Sequence, residues 1–90
     1  MQVKVIHNGH RIIVEHYIDS LKLIVDDIRY SEVRGLKNAN KDNVLTAIIR
    51  NTDGTTDDVR VEYYDAKLLK LTGKLVFYYN GQLIAEKKTM

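Results

Sequence analysis

Apolar and polar residues alternate with a period of two along much of the chain, and this alternation sets its predicted elements. Across residues 1–17 it places Val3, Val5, Ile12 and Val14 on one side, with His7, His10 and His16 at the ends. Gln2, Lys4, Ile6, Arg11, Ile13 and Glu15 fall on the other side. Asn8-Gly9 interrupts the run, and both residues tolerate the positive φ of a type I′ turn, so the stretch reads as a hairpin. Its register pairs His7 with His10, Val5 with Ile12, Val3 with Val14 and Met1 with His16. A second hairpin follows in LKLIV-DD-IRYSEV, with Leu21, Leu23, Val25, Ile28 and Tyr30 expected inward. Lys22, Ile24, Arg29 and Ser31 are expected outward. Asp26-Asp27 is the weaker turn, because Asp visits left-handed φ less readily than Gly.

The firmest prediction is residues 74–88, KLVFYYNGQLIAEKK, where Asn80-Gly81 separates two β-prone runs. A two-residue turn there pairs Tyr79 with Gln82, Tyr78 with Leu83, Phe77 with Ile84 and Val76 with Ala85. Leu75, Phe77, Tyr79 and Ile84 then share one face, and Val76, Tyr78, Leu83 and Ala85 the other. Both faces are apolar, which a strand covered on one side only does not need.

Between these hairpins the signals are shorter. Residues 34–43, RGLKNANKDN, are polar and lack a hydrophobic period, which predicts a loop. VLTAIIR at 44–50 is β-branched and short, which favours a strand. NTDGTTDD at 51–58 is a turn cluster, and 59–64 alternates as a half-buried strand. AKLLKL at 66–71 has helix propensity but runs straight into Thr72-Gly73; strand is the assignment here. Repeated hairpins without a long amphipathic segment predict an all-β fold in a single domain spanning 1–90. Its expected form is an antiparallel β-sandwich or flattened β-barrel of about seven to nine strands joined by tight hairpins. The expected core is Val3, Val5, Ile12, Val14, Leu21, Leu23, Val25, Ile28, Tyr30, Ile48, Val61, Leu75, Phe77 and Ile84. Setting the Asp26-Asp27 turn on Asn80-Gly81 also aligns Val5 with Val59, Leu21 with Leu75, Leu23 with Phe77 and Glu32 with Glu86, which suggests two related halves.

Composition narrows the function classes. The chain is 44% hydrophobic and 29% charged, as expected of a folded globular domain. It has no Cys, hence no disulfide framework, thiolate nucleophile or thiolate metal site. For so small a domain this favours a reducing, cytoplasmic setting. The first residues lack the pattern of a secretory signal, and no apolar run is long enough to cross a bilayer. A net charge of +2, with acids and bases interspersed, gives no argument for nucleic acid by itself.

Three short stretches carry a family likeness. GHRIIVEH at 9–16, LKLIVDD at 21–27 and YYNGQLIAEK at 78–87 resemble the β-sandwich domains of the Fas apoptotic inhibitory molecule family. The resemblance covers the first third and the last tenth or so of the chain and leaves 35–71 untouched; Asp27 stands where that family's hairpin favours Gly. It implies a β-sandwich that binds other proteins and offers no catalytic residues to carry over.

Candidate chemistry is sparse. His7 and His10 face each other across a tight turn, close enough for two imidazoles to share a metal, but His16 lies about 20 Å along the strand from His10. Two ligands make only a solvated histidine pair, so no metal or other cofactor is expected. Asn51, Asp53, Asp57 and Asp58 supply oxygen ligands without the spacing of a calcium loop; a turn at Asp53-Gly54 accounts for them. Ser20 and Ser31 sit in no nucleophile elbow, and no carboxylate has the apolar surroundings of an acid catalyst. The expectation is therefore that the chain is not an enzyme. A nucleic-acid-binding barrel would stack bases on Tyr63, Tyr64, Tyr78 and Tyr79 and hold phosphates with Arg34, Lys37 and Lys41. Asp57, Asp58, Glu62 and Asp65 stand against that, and in the simpler reading one tyrosine of each pair is core and its neighbour surface. The preferred expectation is a protein-interaction module, either for another protein or for itself as a homodimer. Its contact surface would be Tyr64, Tyr78, Leu83 and Ala85, tyrosines beside aliphatic residues being good interface anchors. The plain alternative is that the last hairpin is central and covered by another part of the chain.

Overall fold

The computed structural model describes residues 1–17, 20–34, 43–64 and 73–89. These form eight antiparallel strands: β1 (Gln2–His7), β2 (His10–His16), β3 (Ser20–Val25), β4 (Ile28–Arg34), β5 (Asn43–Arg50), β6 (Thr56–Tyr64), β7 (Gly73–Tyr79) and β8 (Gln82–Thr89). They make two four-stranded meanders, β1-β2-β3-β4 and β5-β6-β7-β8. The sheets stack as a β-sandwich in which β4 lies along β5 and β1 along β8. Among the described residues no helix is long and apolar enough to cross a membrane. The expectations for 35–42 and 66–71, with Lys37 and Lys41, lie outside the described residues.

Three two-residue turns join the hairpins, and their six central residues all have positive φ: Asn8, Gly9, Asp26, Asp27, Asn80 and Gly81. The Asn-Gly turns form for the reason the sequence supplies. The Asp-Asp turn needs tertiary help. Asp26 Oδ1 accepts the Arg11 backbone N–H at 2.9 Å, Asp26 Oδ2 lies 2.6 Å from His10 Nδ1, and Asp27 Oδ2 accepts from the Arg11 guanidinium at 2.7 Å. These bonds offset the strain of two non-glycine residues in left-handed backbone, of order 1–3 kcal/mol each.

The first hairpin has the predicted register throughout. The other two do not. In β3–β4 the pairing runs Val25–Ile28 and Ile24–Arg29, then jumps to Leu23–Ser31, leaving Tyr30 as an extra residue. In β7–β8 it runs Tyr79–Gln82 and Tyr78–Leu83, then jumps to Phe77–Ala85, leaving Ile84 as the extra residue. Each is a β-bulge on an edge strand, where the extra residue bends the strand and re-aims the side chains beyond it. Both extra residues pack against the core. Ser31, expected outward, turns inward opposite Leu23, and its Oγ is buried without a hydrogen-bond partner. Ala85, expected outward, likewise joins the inner side and packs on the core.

The core lies between the sheets and includes Val3, Val5, Ile12, Val14, Leu21, Leu23, Val25, Val61, Leu75 and Phe77 as expected. Each fully buried aliphatic or aromatic side chain contributes about 1.5–3 kcal/mol of transfer free energy. Ile28 and Ile48 are corrections, since they are 58% and 59% exposed. Ile28 sits beside the turn, beyond the reach of the opposite sheet. In β5 the inward set is Leu45, Ala47 and Ile49, which puts Ile48 outside. Val59, Tyr63 and Tyr79 also belong to the core, although the expected core omits them.

The halves correspond strand for strand. Asp26 and Asn80 hold the same place: each accepts through a side-chain oxygen, and donates its own N–H, to one residue of the second strand of its meander. That residue is Arg11 for Asp26 and Asp58 for Asn80. The pairings Leu21–Leu75, Leu23–Phe77 and Glu32–Glu86 follow, but Val59 corresponds to Ile12, because Ile12 pairs with Val25 as Val59 pairs with Tyr79.

Candidate protein-interaction surface

Strand alternation on β5–β8 sends every second residue to the outer side of the second sheet. Among the described residues five rows cross it. Starting from the end of the β5–β6 connection, they hold Arg50 and Thr56; then Ile48 and Asp58; then Thr46, Arg60, Tyr78 and Leu83; then Val44, Glu62, Val76 and Glu86; then Tyr64, Lys74 and Lys88. Tyr64 is 47% and Leu83 56% exposed, while Tyr78 is half-buried. The structure thus brings together three of the four residues the sequence singled out and turns the fourth, Ala85, to the core. Tyr63 and Tyr79, in contrast, are buried at 7% and 3% exposure. Each tyrosine pair has one inner and one outer member, as alternation requires.

Glu62, which the sequence does not mark as a site residue, is the hub of this face. Its carboxylate accepts from the Arg60 guanidinium at 2.7 Å and from the Tyr64 hydroxyl at 3.0 Å. The Tyr64 hydrogen bond is the chief reason its pKa lies below the usual carboxylate value. Desolvation, then the charge and hydrogen bond of Glu62, push the Tyr78 phenol upward. Lys74 Nζ sits over the Tyr64 ring at 5.6 Å from its centre. Both aromatic rings are thereby tied to one polar network, which lowers the rotamer entropy lost on contact. An open depression of about 420 Å³ is lined by Asp58, Arg60, Glu62, Tyr78 and Gly81. A second, of about 210 Å³, lies across Arg60 and Glu62 against Tyr64 and Val44. The signal for Glu62 is present in the Arg60-Glu62-Tyr64 alternation, but nothing local shows three donors converging on it.

The histidine pair packs against the core. His7 and His10 flank the buried Tyr79 ring, with centroids 4.7 and 6.3 Å away. Tyr79 donates its hydroxyl to Asp57 Oδ2 at 2.6 Å, and Asn80 Nδ2 donates to Asp57 Oδ1. This cluster ties the turns of the first sheet to β6 and β7 of the second. Burial, with the Asp57 carboxylate next in weight, pushes the Tyr79 phenol up to about 12. The Tyr79 hydrogen bond in turn holds Asp57 below its usual value. Asp53 is engaged by the backbone N–H and hydroxyl of Thr55 inside its own loop. Among the described residues no three or more His, Asp or Glu side chains are grouped to hold a metal ion.

Compared with protein-family models, curated proteins and solved structures, the chain matches none of them.

Proposed function

We propose that this chain is a non-catalytic, cytoplasmic protein-interaction module that docks through the outer face of its second sheet. The observation that carries the reading is the exposure of Tyr64 and Leu83 beside Tyr78, with both tyrosines tied to Glu62. Exposed aromatic and aliphatic side chains on a preorganised polar frame are the anchors of protein contacts. The binding role implied by the resemblance to the Fas apoptotic inhibitory molecule domains points the same way.

The test is capture by immobilised protein, with purification and mass spectrometry of what binds, for wild type, Leu83→Asp and Ile6→Asp. Leu83 lies on the proposed face; Ile6, also exposed, lies on the other sheet. The reading expects a protein, the chain itself included, that Leu83→Asp loses and Ile6→Asp retains. Equal capture by all three variants rejects this face.

A further inference from the structure

The chain contains Asn-Gly twice, at 8–9 and 80–81, and both pairs form the same kind of turn. Asn8 and Asn80 have φ of 53° and 49°, Gly9 and Gly81 of 77° and 81°. All four residues are exposed, and beyond the chain neighbours no atom lies within 4 Å of where a Cβ would stand on either glycine. Asn-Gly is also a chemically labile pair. Without a Cβ the glycine leaves its backbone nitrogen open to approach, and its backbone moves most freely, so that nitrogen can attack the asparagine side-chain carbonyl. With turn geometry and exposure alike, what differs between the two sites is how each asparagine is held.

Asn80 is fixed by three bonds to β6. Its Oδ1 accepts the Asp58 N–H at 2.8 Å, its Nδ2 donates to Asp57 Oδ1 at 3.1 Å, and its own N–H donates to the Asp58 carbonyl at 2.8 Å. Its strand, β7, is paired on both sides. Asn8 stands at the tip of a hairpin whose first strand, β1, is at the edge of its sheet. Among the described residues the Asn8 side chain has one hydrogen-bonding neighbour, the Tyr79 hydroxyl. The attack needs the asparagine backbone to swing out of the turn, a local opening of the structure. At Asn80 that motion breaks three bonds; at Asn8 it gives up one contact.

We propose that Asn8-Gly9 is a site of spontaneous covalent modification in the folded chain, and that Asn80-Gly81 is locked against it. The Gly9 nitrogen bonds to Asn8 Cγ, the Cγ–Nδ2 bond breaks, and ammonia leaves with the proton from the Gly9 nitrogen. Water then opens the cyclic imide. Opening at Cγ gives aspartate. Opening at the backbone carbonyl gives isoaspartate, which routes the main chain through the side chain and adds one carbon to a two-residue turn. Either product sets a carboxylate beside the Tyr79 hydroxyl, where Asp57 is already the acceptor at 2.6 Å. The modification thus loosens the cluster that ties the first-sheet turns to β6 and β7.

The experiment is incubation of the whole chain in mildly alkaline buffer, native and in urea, with timed peptide mapping by mass spectrometry. Each conversion adds about one dalton, and chromatography separates isoaspartate from aspartate. At each site the rate in urea divided by the native rate measures protection, which cancels the influence of the preceding residue, His7 or Tyr79. Protection is expected to be at least about tenfold greater at Asn80 than at Asn8. Asp57→Ala, which removes the acceptor of Asn80 Nδ2, is expected to speed native conversion at Asn80 severalfold; a melt in the incubation buffer checks that this variant is folded. Equal protection at the two sites overturns the inference, as does a native chain without product at Asn8 when the chain in urea has fully converted there. An Asn80 rate that folded Asp57→Ala leaves unchanged overturns the lock.

Discussion

The two sheets share a meander, a bulge at the same step beyond the last turn, and the same anchoring of that turn to the second strand, yet their outer faces handle charge differently. On the first sheet, Glu15, Lys22 and Glu32 alternate across one row, and Lys22 lies 3.6 Å from Glu32. Arg34 also reaches Glu32, and Arg11 reaches Asp27. On the second, acids and bases occupy separate rows, and the network gathers on Glu62. The shared parts are those that close a sandwich: inward alternation and an edge strand bent by one extra residue. The outer faces are free of that demand. One spreads its ion pairs over several strands; the other gathers them on the Arg60–Glu62 pair of β6.

The strongest way to break the equivalence of the halves is through the core. Leu23→Ala and Phe77→Ala occupy matching positions and are both fully buried. Losses of about 2–5 and 3–5 kcal/mol are expected by urea denaturation, each in one cooperative transition. Separate transitions for the two halves would mean that they fold as independent units.

A smaller effect separates the turns. Asp26→Ala removes the acceptor for the Arg11 N–H and the partner of His10, at an expected cost of about 1–3 kcal/mol. Asp26→Asn keeps the acceptor and tolerates positive φ, so its cost should stay below about 1 kcal/mol. Equal costs would show that charge, rather than anchoring, holds this turn.

Titration sharpens the contrast at the tyrosine cluster. The Tyr79 phenol has a folded pKa of about 12 against an unfolded value near 10, so the stability linked to it is complete below about pH 10 and is lost as pH rises towards 12. Tyr79→Phe should flatten the fall in melting temperature across that window. The backbone hydrogen bond from Arg11, chiefly, depresses Asp26, and the Tyr79 hydroxyl, chiefly, depresses Asp57. Their contribution is therefore present above about pH 4 and lost as pH falls below it. Asp57→Asn should reduce that acid sensitivity.

The smallest effect is at the surface. Lys22→Ala breaks a partly exposed ion pair and should cost no more than about 1 kcal/mol, with no change in solution mass. A change in mass would move the contact surface to the first sheet.

How much can be read in advance depends on how local each cause is. The turns at Asn8-Gly9 and Asn80-Gly81 and the pairs flanking them are legible because left-handed tolerance belongs to the residues themselves. So is the outward placing of Tyr78 and Leu83, counted by two from the Asn80-Gly81 turn, and of Tyr64, counted along its own alternating strand. Ala85 is misplaced by that count because one extra residue, Ile84, intervenes and flips every later position. The bulge answers the curvature an edge strand needs against the opposite sheet, which no local pattern records. The exposure of Ile48 has the same origin: Leu45, Ala47 and Ile49 make an equally valid alternation, and only the facing sheet chooses between them.

Residue type and spacing alone determined an antiparallel all-β chain, its hairpin turns and one inner and one outer member in each tyrosine pair. Tertiary structure decided where the two edge strands bulge and how Asp26-Asp27 is held. It also decided that Glu62 gathers Arg60 and Tyr64. Backbone conformation and side-chain parity are written residue by residue along a strand. Convergence across strands, and the bend that lets two sheets close on one core, exist only once those strands are side by side.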